Sequence, residues 1–98
     1  MNICYKDKKI EEICQTFNKA KQKYGLNMAR KIKKAMMILT NFGNVNDLIM
    51  GYIARCHPLH GDREGQYALD LMQPYRLIFE LVDGNIRIVC IIEIVDYH

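Results

Sequence analysis

Apolar residues at helical spacing organise the first part of the chain. They recur every three or four positions over residues 10–24 and again over residues 29–39, which predicts two amphipathic helices. The residues that cap or end them are Asp7 and Gly25 for the first helix, and Asn27 and Gly43 for the second. Because only a tight turn separates them, the two helices should form an antiparallel pair. Residues 44–56 show no clear period and predict a connection with one short turn.

The C-terminal part of the chain alternates apolar and polar residues, which predicts β-strands. The strand segments are residues 66–72, 75–81 and 85–95, with residues 1–5 as a further short strand. Asp83-Gly84 predicts a hairpin turn between the last two segments. The last segment is apolar on both faces, with Val89, Ile91 and Val95 expected on one face, so it belongs in the middle of the sheet. This order predicts an α+β fold in which an N-terminal helical hairpin packs on a four-stranded, mainly antiparallel sheet.

Length and composition fit a single domain over residues 1–98. Half of the 98 residues are apolar, which is typical of a globular protein and excludes a disordered one. The N-terminus has no signal-peptide pattern, and the longest apolar run, residues 88–92, is far too short to span a bilayer. We therefore expect a soluble, cytoplasmic protein with no membrane partner. The four cysteines form no CxxC pair, so free thiols are expected.

Positive charge is concentrated in the N-terminal half. Residues 1–56 hold eleven Lys and Arg against four acids, whereas residues 57–98 hold three Arg against seven acids. The densest group lies in the second predicted helix and consists of Arg30, Lys31, Lys33 and Lys34. This asymmetry is typical of a nucleic-acid binder, although a solvated basic helix face would show the same pattern.

All three histidines lie at the two ends of the C-terminal region. A sheet that brought the polar loop containing His57 and His60 next to the chain terminus would gather both with His98. Cutting RNA without a metal needs a base for the ribose 2′-hydroxyl and an acid for the leaving 5′-oxygen, and histidine suits both because its pKa lies near neutrality. The pattern Cys56-His57-x-x-His60 lacks the second ligand pair of a structural zinc site, so we expect no metal and no cofactor.

Two arginines and a tyrosine complete the candidate chemistry. Arg63 and Arg76 carry the planar fork of donors that matches phosphate, and Tyr97 offers a stacking surface. Arg76 lies between apolar residues of a strand, where an unpaired charge is costly, so a salt bridge to Glu80 or Asp70 is the alternative role. From the residues alone, a small α+β binding domain of unspecified ligand fits better than a nuclease.

Three segments of the chain resemble a known family. HPLHGDREGQYALDL, followed by PYRLIFE and EIVDYH, closely resembles the HigB-type toxins of the RelE/ParE superfamily, and the preceding helical hairpin agrees in order and size. The family forms the stable half of type II toxin–antitoxin pairs, which include plasmid-maintenance "killer" proteins. The resemblance implies a ribosome-dependent endonuclease that cuts translated mRNA, and a HigA-like antitoxin with a helix-turn-helix domain.

By matching position, the resemblance places the family's catalytic histidines on His57 and His98. It places the phosphate-side arginine on Arg76, and it assigns Asp96 and Tyr97 to the catalytic end of the chain. Sequence does not decide which histidine is the base and which is the acid.

Two positions depart from the family pattern. His60 stands where many members have a lysine, and because histidine is only partly charged at neutral pH, stabilisation of phosphate is weaker there. Tyr75 stands where relatives often carry a tryptophan.

The expected RNA contacts extend beyond the catalytic residues. They comprise His60 and Arg63 in the loop, and Arg30, Lys31, Lys33 and Lys34, which would contact ribosomal RNA. Two alternatives remain open: a ParE-like inhibitor of DNA gyrase, and a non-catalytic, decayed toxin that only binds its antitoxin. The histidine-rich site favours the ribonuclease over the gyrase inhibitor.

Overall fold

Four helices cover one face of a five-stranded sheet in the computed structural model, which describes residues 1–96. The helices are α1 (Lys8–Gln15), α2 (Phe17–Tyr24), α3 (Leu26–Asn41) and α4 (Val45–Met50). The strands are β1 (Asn2–Tyr5), β2 (His57–Pro58), β3 (Gln66–Asp70), β4 (Tyr75–Val82) and β5 (Asn85–Asp96). Short 3₁₀ turns occupy Ile53–Arg55 and Gly61–Arg63. The α+β architecture predicted from the sequence is confirmed.

The first predicted helix is interrupted at one residue. Asp7 caps α1 as expected, since its side chain accepts a hydrogen bond from the backbone N–H of Ile10 at 2.9 Å. At Thr16 the backbone becomes extended, with φ −114° and ψ 102°, and α2 starts after it. Threonine is β-branched and adopts this extended conformation readily. The apolar stripe of the predicted helix continues across the break, although the helix itself does not.

The second predicted helix starts before its expected cap. Gly25 alone joins α2 to α3 with φ 91°, a left-handed value that glycine adopts without a steric penalty. Asn27 therefore lies inside α3 and does not cap it, and α3 ends at Asn41, before Gly43. The predicted connection over residues 44–56 contains α4, which Asn44 caps by accepting a hydrogen bond from the backbone N–H of Asp47 at 3.0 Å.

The sheet has the strand order β1-β5-β4-β3-β2, with β1 parallel to β5 and the other pairs antiparallel. The predicted interior position of the last long strand is confirmed, because β5 lies between β1 and β4. The predicted number of four strands is one too few. The first two residues of the polar loop pair with β3, His57 opposite Ala68 and Pro58 opposite Tyr67, and so form β2. This short pairing fixes His57 on the sheet.

A β-bulge changes which side chains of β5 face the helices. Ile78 pairs with Glu93 but the next residue, Phe79, pairs with Ile91, so Ile92 is the extra residue. The predicted alternation of β5 side chains between the two faces of the sheet is interrupted at this residue. Ile91 packs against the helices, whereas Val95, which was expected on the same face as Ile91, packs on the opposite face.

Each face of the sheet carries its own apolar cluster. The larger lies between helices and sheet and includes Met28, Ile32, Leu39, Leu77 and Phe79, all at most 1% exposed. The smaller lies on the opposite face, which we call the open face, and consists of Leu59, Ala68 and Ile78 with Ile92 and Val95 packed against them. Within residues 1–96 no helix is both long enough and apolar enough to cross a membrane.

A substitution of Phe79 tests how much of the stability of the domain comes from its main core. The side chain is fully buried and stacks on Tyr67, with ring centroids 5.5 Å apart and an interplanar angle of 15°. We expect Phe79→Ala to lower the free energy of unfolding by about 3–5 kcal/mol, a large share of what a domain of this size has. Urea denaturation measures this loss. Met37→Ala, at a side chain that is 54% exposed, should cost less than about 0.5 kcal/mol, and an equal loss in both variants would contradict the assignment of the core.

Candidate functional site

His57 is exposed on the open face, and its ring is oriented by the segment before it. Nδ1 lies 2.6 Å from the backbone carbonyl oxygen of Arg55. Because a carbonyl oxygen can only accept, this contact assigns the proton of the neutral imidazole to Nδ1. Nε2 then remains an acceptor, which is the state that a general base requires.

Arg76 is held on the same face by Asp70, which the sequence suggested only as an alternative partner. Its Nε lies 2.8 Å from Oδ1 of Asp70, and both side chains are about six-sevenths buried, at 14% and 15% exposure. The N–H does not point at the oxygen, so Oδ1 of Asp70 is buried in ionic contact but without a hydrogen bond. We take this as an ion pair, since the short distance between opposite charges attracts at any angle.

The rest of the Arg76 guanidinium is tied to the turn between β3 and β4. Nη1 donates to Oε1 of Gln73 at 3.1 Å and to the carbonyl oxygens of Pro74 at 3.2 Å and Tyr75 at 3.1 Å. Nη2 takes part in none of these contacts. Tyr75 itself points to the helix side, where its ring meets that of Tyr24 edge-on at 5.7 Å.

The carboxylate of Asp70 also joins the two halves of the candidate site. Nε of Arg55 lies 3.6 Å from its Oδ2, and the backbone carbonyl of Arg55 holds His57. Asp70 therefore contacts Arg76 directly and is linked to His57 through Arg55. From strand spacing, His57 on β2 and Arg76 on β4 are about 12 Å apart between Cα atoms, which leaves room for a nucleotide.

The C-terminal end of β5 comes next to Arg76. Val95 pairs with Arg76, and Asp96, which is exposed, pairs with Tyr75. Tyr97 and His98, both predicted to be catalytic, lie outside the described residues. The topology thus brings His57 and Arg76 to one end of the open face, whereas Asp96 lies at the end of β5 beside them but on the helix side, like its partner Tyr75.

Arg63 and His60 take different positions in the loop. Arg63 donates to Oε1 of Gln66 at 2.9 Å and to Oε1 of Glu93 at 3.4 Å, so it ties the loop to β3 and β5. His60 is exposed, and its Nδ1 lies 4.0 Å from the exposed carboxylate of Glu64. An ion pair this exposed contributes little to stability.

The basic residues of α3 divide between two sides. Arg30, Lys31, Lys33 and Lys34 are all exposed. Lys31 and Lys34 line a cavity of about 410 Å³ together with Asp70, so they adjoin the candidate site. Lys33 lies instead over the ring of Phe17, 5.9 Å from its centroid, on the side toward α2.

The geometry gives no support to a zinc site at Cys56-His57-x-x-His60. Cys56 is 3% exposed, and burial raises the pKa of its thiol to about 12, so it stays protonated at neutral pH. Both histidines are exposed. In the part of the chain that the structure describes, no three His, Cys, Asp or Glu side chains lie close enough together to hold a metal ion.

The segment before His57 contributes to the site although the sequence predicted only a connection there. Tyr52 and Arg55 line a second cavity with His57, and Arg55 bridges to Asp70. Residues 44–56 show no apolar periodicity, so they were predicted only as a connection and no functional role was expected of them. The available signal was a tyrosine and an arginine, Tyr52 and Arg55, close before the polar loop.

Comparison with known proteins identifies the fold. Over the whole chain the structure matches YoeB of the YoeB–YefM complex from Staphylococcus aureus, with a TM-score of 0.63, 20% identity and 97% of that chain covered. It matches YafQ from E. coli strain BL21(DE3) over 95% of this chain and 89% of that one, with a TM-score of 0.63 and 22% identity. A YoeB/ParE toxin from Agrobacterium tumefaciens matches over 100% and 99%, with a TM-score of 0.56 and 17% identity.

These matches show that the chain has the fold of RelE/ParE-type toxins, and at this identity they show the fold alone. No protein-family model and no curated protein matches the sequence.

Asp70 provides a test of the ion pair. Asp70→Ala leaves Arg76 largely buried without its partner, and we expect the free energy of unfolding to fall by about 3 kcal/mol, as for other buried pairs that lose one member. Urea denaturation of the variant measures the loss. Glu80→Ala, which removes an exposed carboxylate from β4, serves as the control and should change stability by less than about 0.5 kcal/mol. Equal stability of the Asp70 variant and the control would show that the ion pair contributes nothing.

Proposed function

We propose that this protein is the toxin of a type II toxin–antitoxin pair and that it cuts translated mRNA on the ribosome. The observation that carries the proposal is the oriented imidazole of His57, whose Nε2 is free to accept a proton on the face that also holds Arg76. The fold shared with YoeB, YafQ and a YoeB/ParE toxin supports the toxin assignment. The resemblance of the HPLHGDREGQYALDL and EIVDYH segments to HigB-type toxins supports the ribonuclease activity.

The proposed reaction is an intramolecular transesterification. Nε2 of His57 takes the proton of the ribose 2′-hydroxyl while the 2′-oxygen forms a bond to the adjacent phosphorus. The bond from phosphorus to the 5′-oxygen breaks, and that oxygen receives a proton from the second histidine. The products are a 2′,3′-cyclic phosphate and a 5′-hydroxyl. The tautomer of His57 favours it as the base, which leaves the acid role to His98.

Arg76 would stabilise the negative charge that develops on the phosphorane. Its Nη1 is occupied by the turn and its Nε faces Asp70, so Nη2 is the nitrogen best placed to meet a phosphate oxygen. Preorganised donors of this kind stabilise a transition state because they need no rearrangement when the charge appears. Tyr97 would position the ribose or a base beside Arg76.

The exposed lysines beside the site would bind ribosomal RNA. Lys31 and Lys34 line the cavity next to Asp70, so RNA held there would lie close to Arg76.

The proposed partner in the cell is an antitoxin, as YefM is for YoeB in the complex from Staphylococcus aureus. The sequence resemblance favours a HigA-like antitoxin with a helix-turn-helix domain and places the pair in the cytoplasm.

The nuclease activity is tested by mapping RNA 5′ ends after brief induction of the untagged protein. The wild type should create new 5′ ends inside translated codons, and His57→Gln should reduce them by about 10²- to 10⁴-fold because the proton acceptor is removed. His98→Ala should have a comparable effect. Growth arrest with intact mRNA and double-strand DNA breaks would indicate a gyrase inhibitor. Neither arrest nor new ends, with an antitoxin still bound, would indicate a decayed toxin.

The lysines are tested by ribosome binding at several salt concentrations. Lys31→Glu combined with Lys34→Glu should weaken binding and reduce the slope of log affinity against log salt by about 2, because each lysine would neutralise one phosphate. Lys8→Glu with Lys9→Glu, two exposed positions on α1, makes the same change in net charge and is the control. Equal binding by both double variants would mean that total charge, and not the surface beside Asp70, governs ribosome binding.

A further inference from the structure

Tyr52 is an aromatic residue with almost no packing. Its side chain is 84% exposed, although tyrosine is usually at least half buried and contributes a large apolar surface to a core. The residue lies just after α4 and just before β2, the strand that carries His57. A large ring presented to solvent beside a candidate catalytic residue is available for a ligand.

The backbone around Tyr52 is held in an unfavourable conformation. Tyr52, Ala54 and Arg55 have φ values of 53°, 47° and 52°, in the left-handed region that residues other than glycine rarely adopt. Such residues are energetically unfavourable, and strained residues of this kind cluster at sites that bind ligands. Three of them within four positions present the Tyr52 ring and the Arg55 guanidinium next to His57.

The segment forms one side of an open cavity. Ile49, Tyr52, Arg55, Cys56 and His57 line a space of about 330 Å³. Ile49, Cys56 and the ring of Tyr52 supply apolar surface, Arg55 supplies a positive charge, and none of the five carries a negative charge. The Arg55 side chain is 72% exposed, and its Nε lies 3.6 Å from Asp70. Its carbonyl oxygen contacts His57.

We infer that this cavity is a nucleobase-binding site for single-stranded RNA, in which Tyr52 stacks on the base of a nucleotide adjacent to the one whose 2′-hydroxyl His57 deprotonates. A flat apolar ring, a guanidinium and a neighbouring imidazole match a base joined to a phosphate. The inference rests on the proposed ribonuclease function and adds a residue that selects or positions the substrate. Tyr52 does not touch the reacting atoms and is a positioning residue.

The test pairs a change in the protein with a change in the RNA. Ribosomes are programmed with mRNAs in which each of the two neighbours of the nucleotide that supplies the 2′-hydroxyl is replaced, one at a time, by an abasic one. The wild type should cut one of the two abasic mRNAs about tenfold more slowly than the normal mRNA, because a stacked base is missing. Tyr52→Asn should cut the normal mRNA about tenfold more slowly than the wild type does, and should no longer distinguish it from that abasic mRNA.

Two further variants separate the ring from its surroundings. Asparagine tolerates the left-handed conformation better than tyrosine, so Tyr52→Asn removes the ring without adding backbone strain. Tyr52→Phe keeps the ring and should behave as the wild type. Met50→Ala changes a neighbouring side chain that is 79% exposed and does not line the cavity, and it should also behave as the wild type.

Each other outcome is decisive. A wild type that cuts neither the normal nor the abasic mRNAs overturns the proposed function itself. A wild type that cuts all the mRNAs at one rate, or a Tyr52→Asn variant that still distinguishes the abasic mRNA, overturns the inference alone. A Tyr52→Asn variant that cuts normally but binds the antitoxin more weakly would make this surface a protein contact and would also overturn it.

Discussion

The carboxylate of Asp70 is the group on which the open face depends. It lies at the end of β3, faces Arg76 at the start of β4, and reaches Arg55 in the segment that leads to His57. Without it, two guanidinium groups would lie close together with no negative charge between them. Asp70 therefore holds Arg76 on the open face and contacts the segment before His57, whose own position the pairing of β2 with β3 fixes. It takes part in neither proposed chemical step.

The ion pair of Asp70 lacks a hydrogen bond at one oxygen, and the groups around it carry an excess of positive charge. The buried Oδ1 of Asp70 has an ionic partner but no hydrogen bond, and a buried oxygen without a hydrogen bond normally costs free energy. The positive charges of Arg55, Arg76, Lys31 and Lys34 surround that single carboxylate. The local balance is thus positive before any ligand binds, and RNA would supply the missing negative charge.

Sequence predicted the elements of the fold more reliably than their details. The apolar stripes located the helical region and the alternating segments located β3, β4 and β5, because both patterns reflect burial against one common core. The break at Thr16, the two-residue strand β2 and the bulge at Ile92 were not predicted, since each depends on tertiary pairing and leaves the local pattern almost unchanged. The histidines and Arg76 stood out by residue type, and Asp70 was suggested as a possible salt-bridge partner of Arg76. Arg55 and Tyr52 became recognisable only when the fold placed them beside His57.

The pairing of β1 with β5 also constrains how the protein is made. Cys4 lies opposite Cys90 in this parallel ladder, so residues that are very far apart in sequence become neighbours. Contacts across such a long stretch of chain are slow to form, because closing so long a loop costs conformational entropy. During synthesis the sheet therefore gains its β1 edge only after β5 has been translated, and until then β1 is a strand without its neighbour.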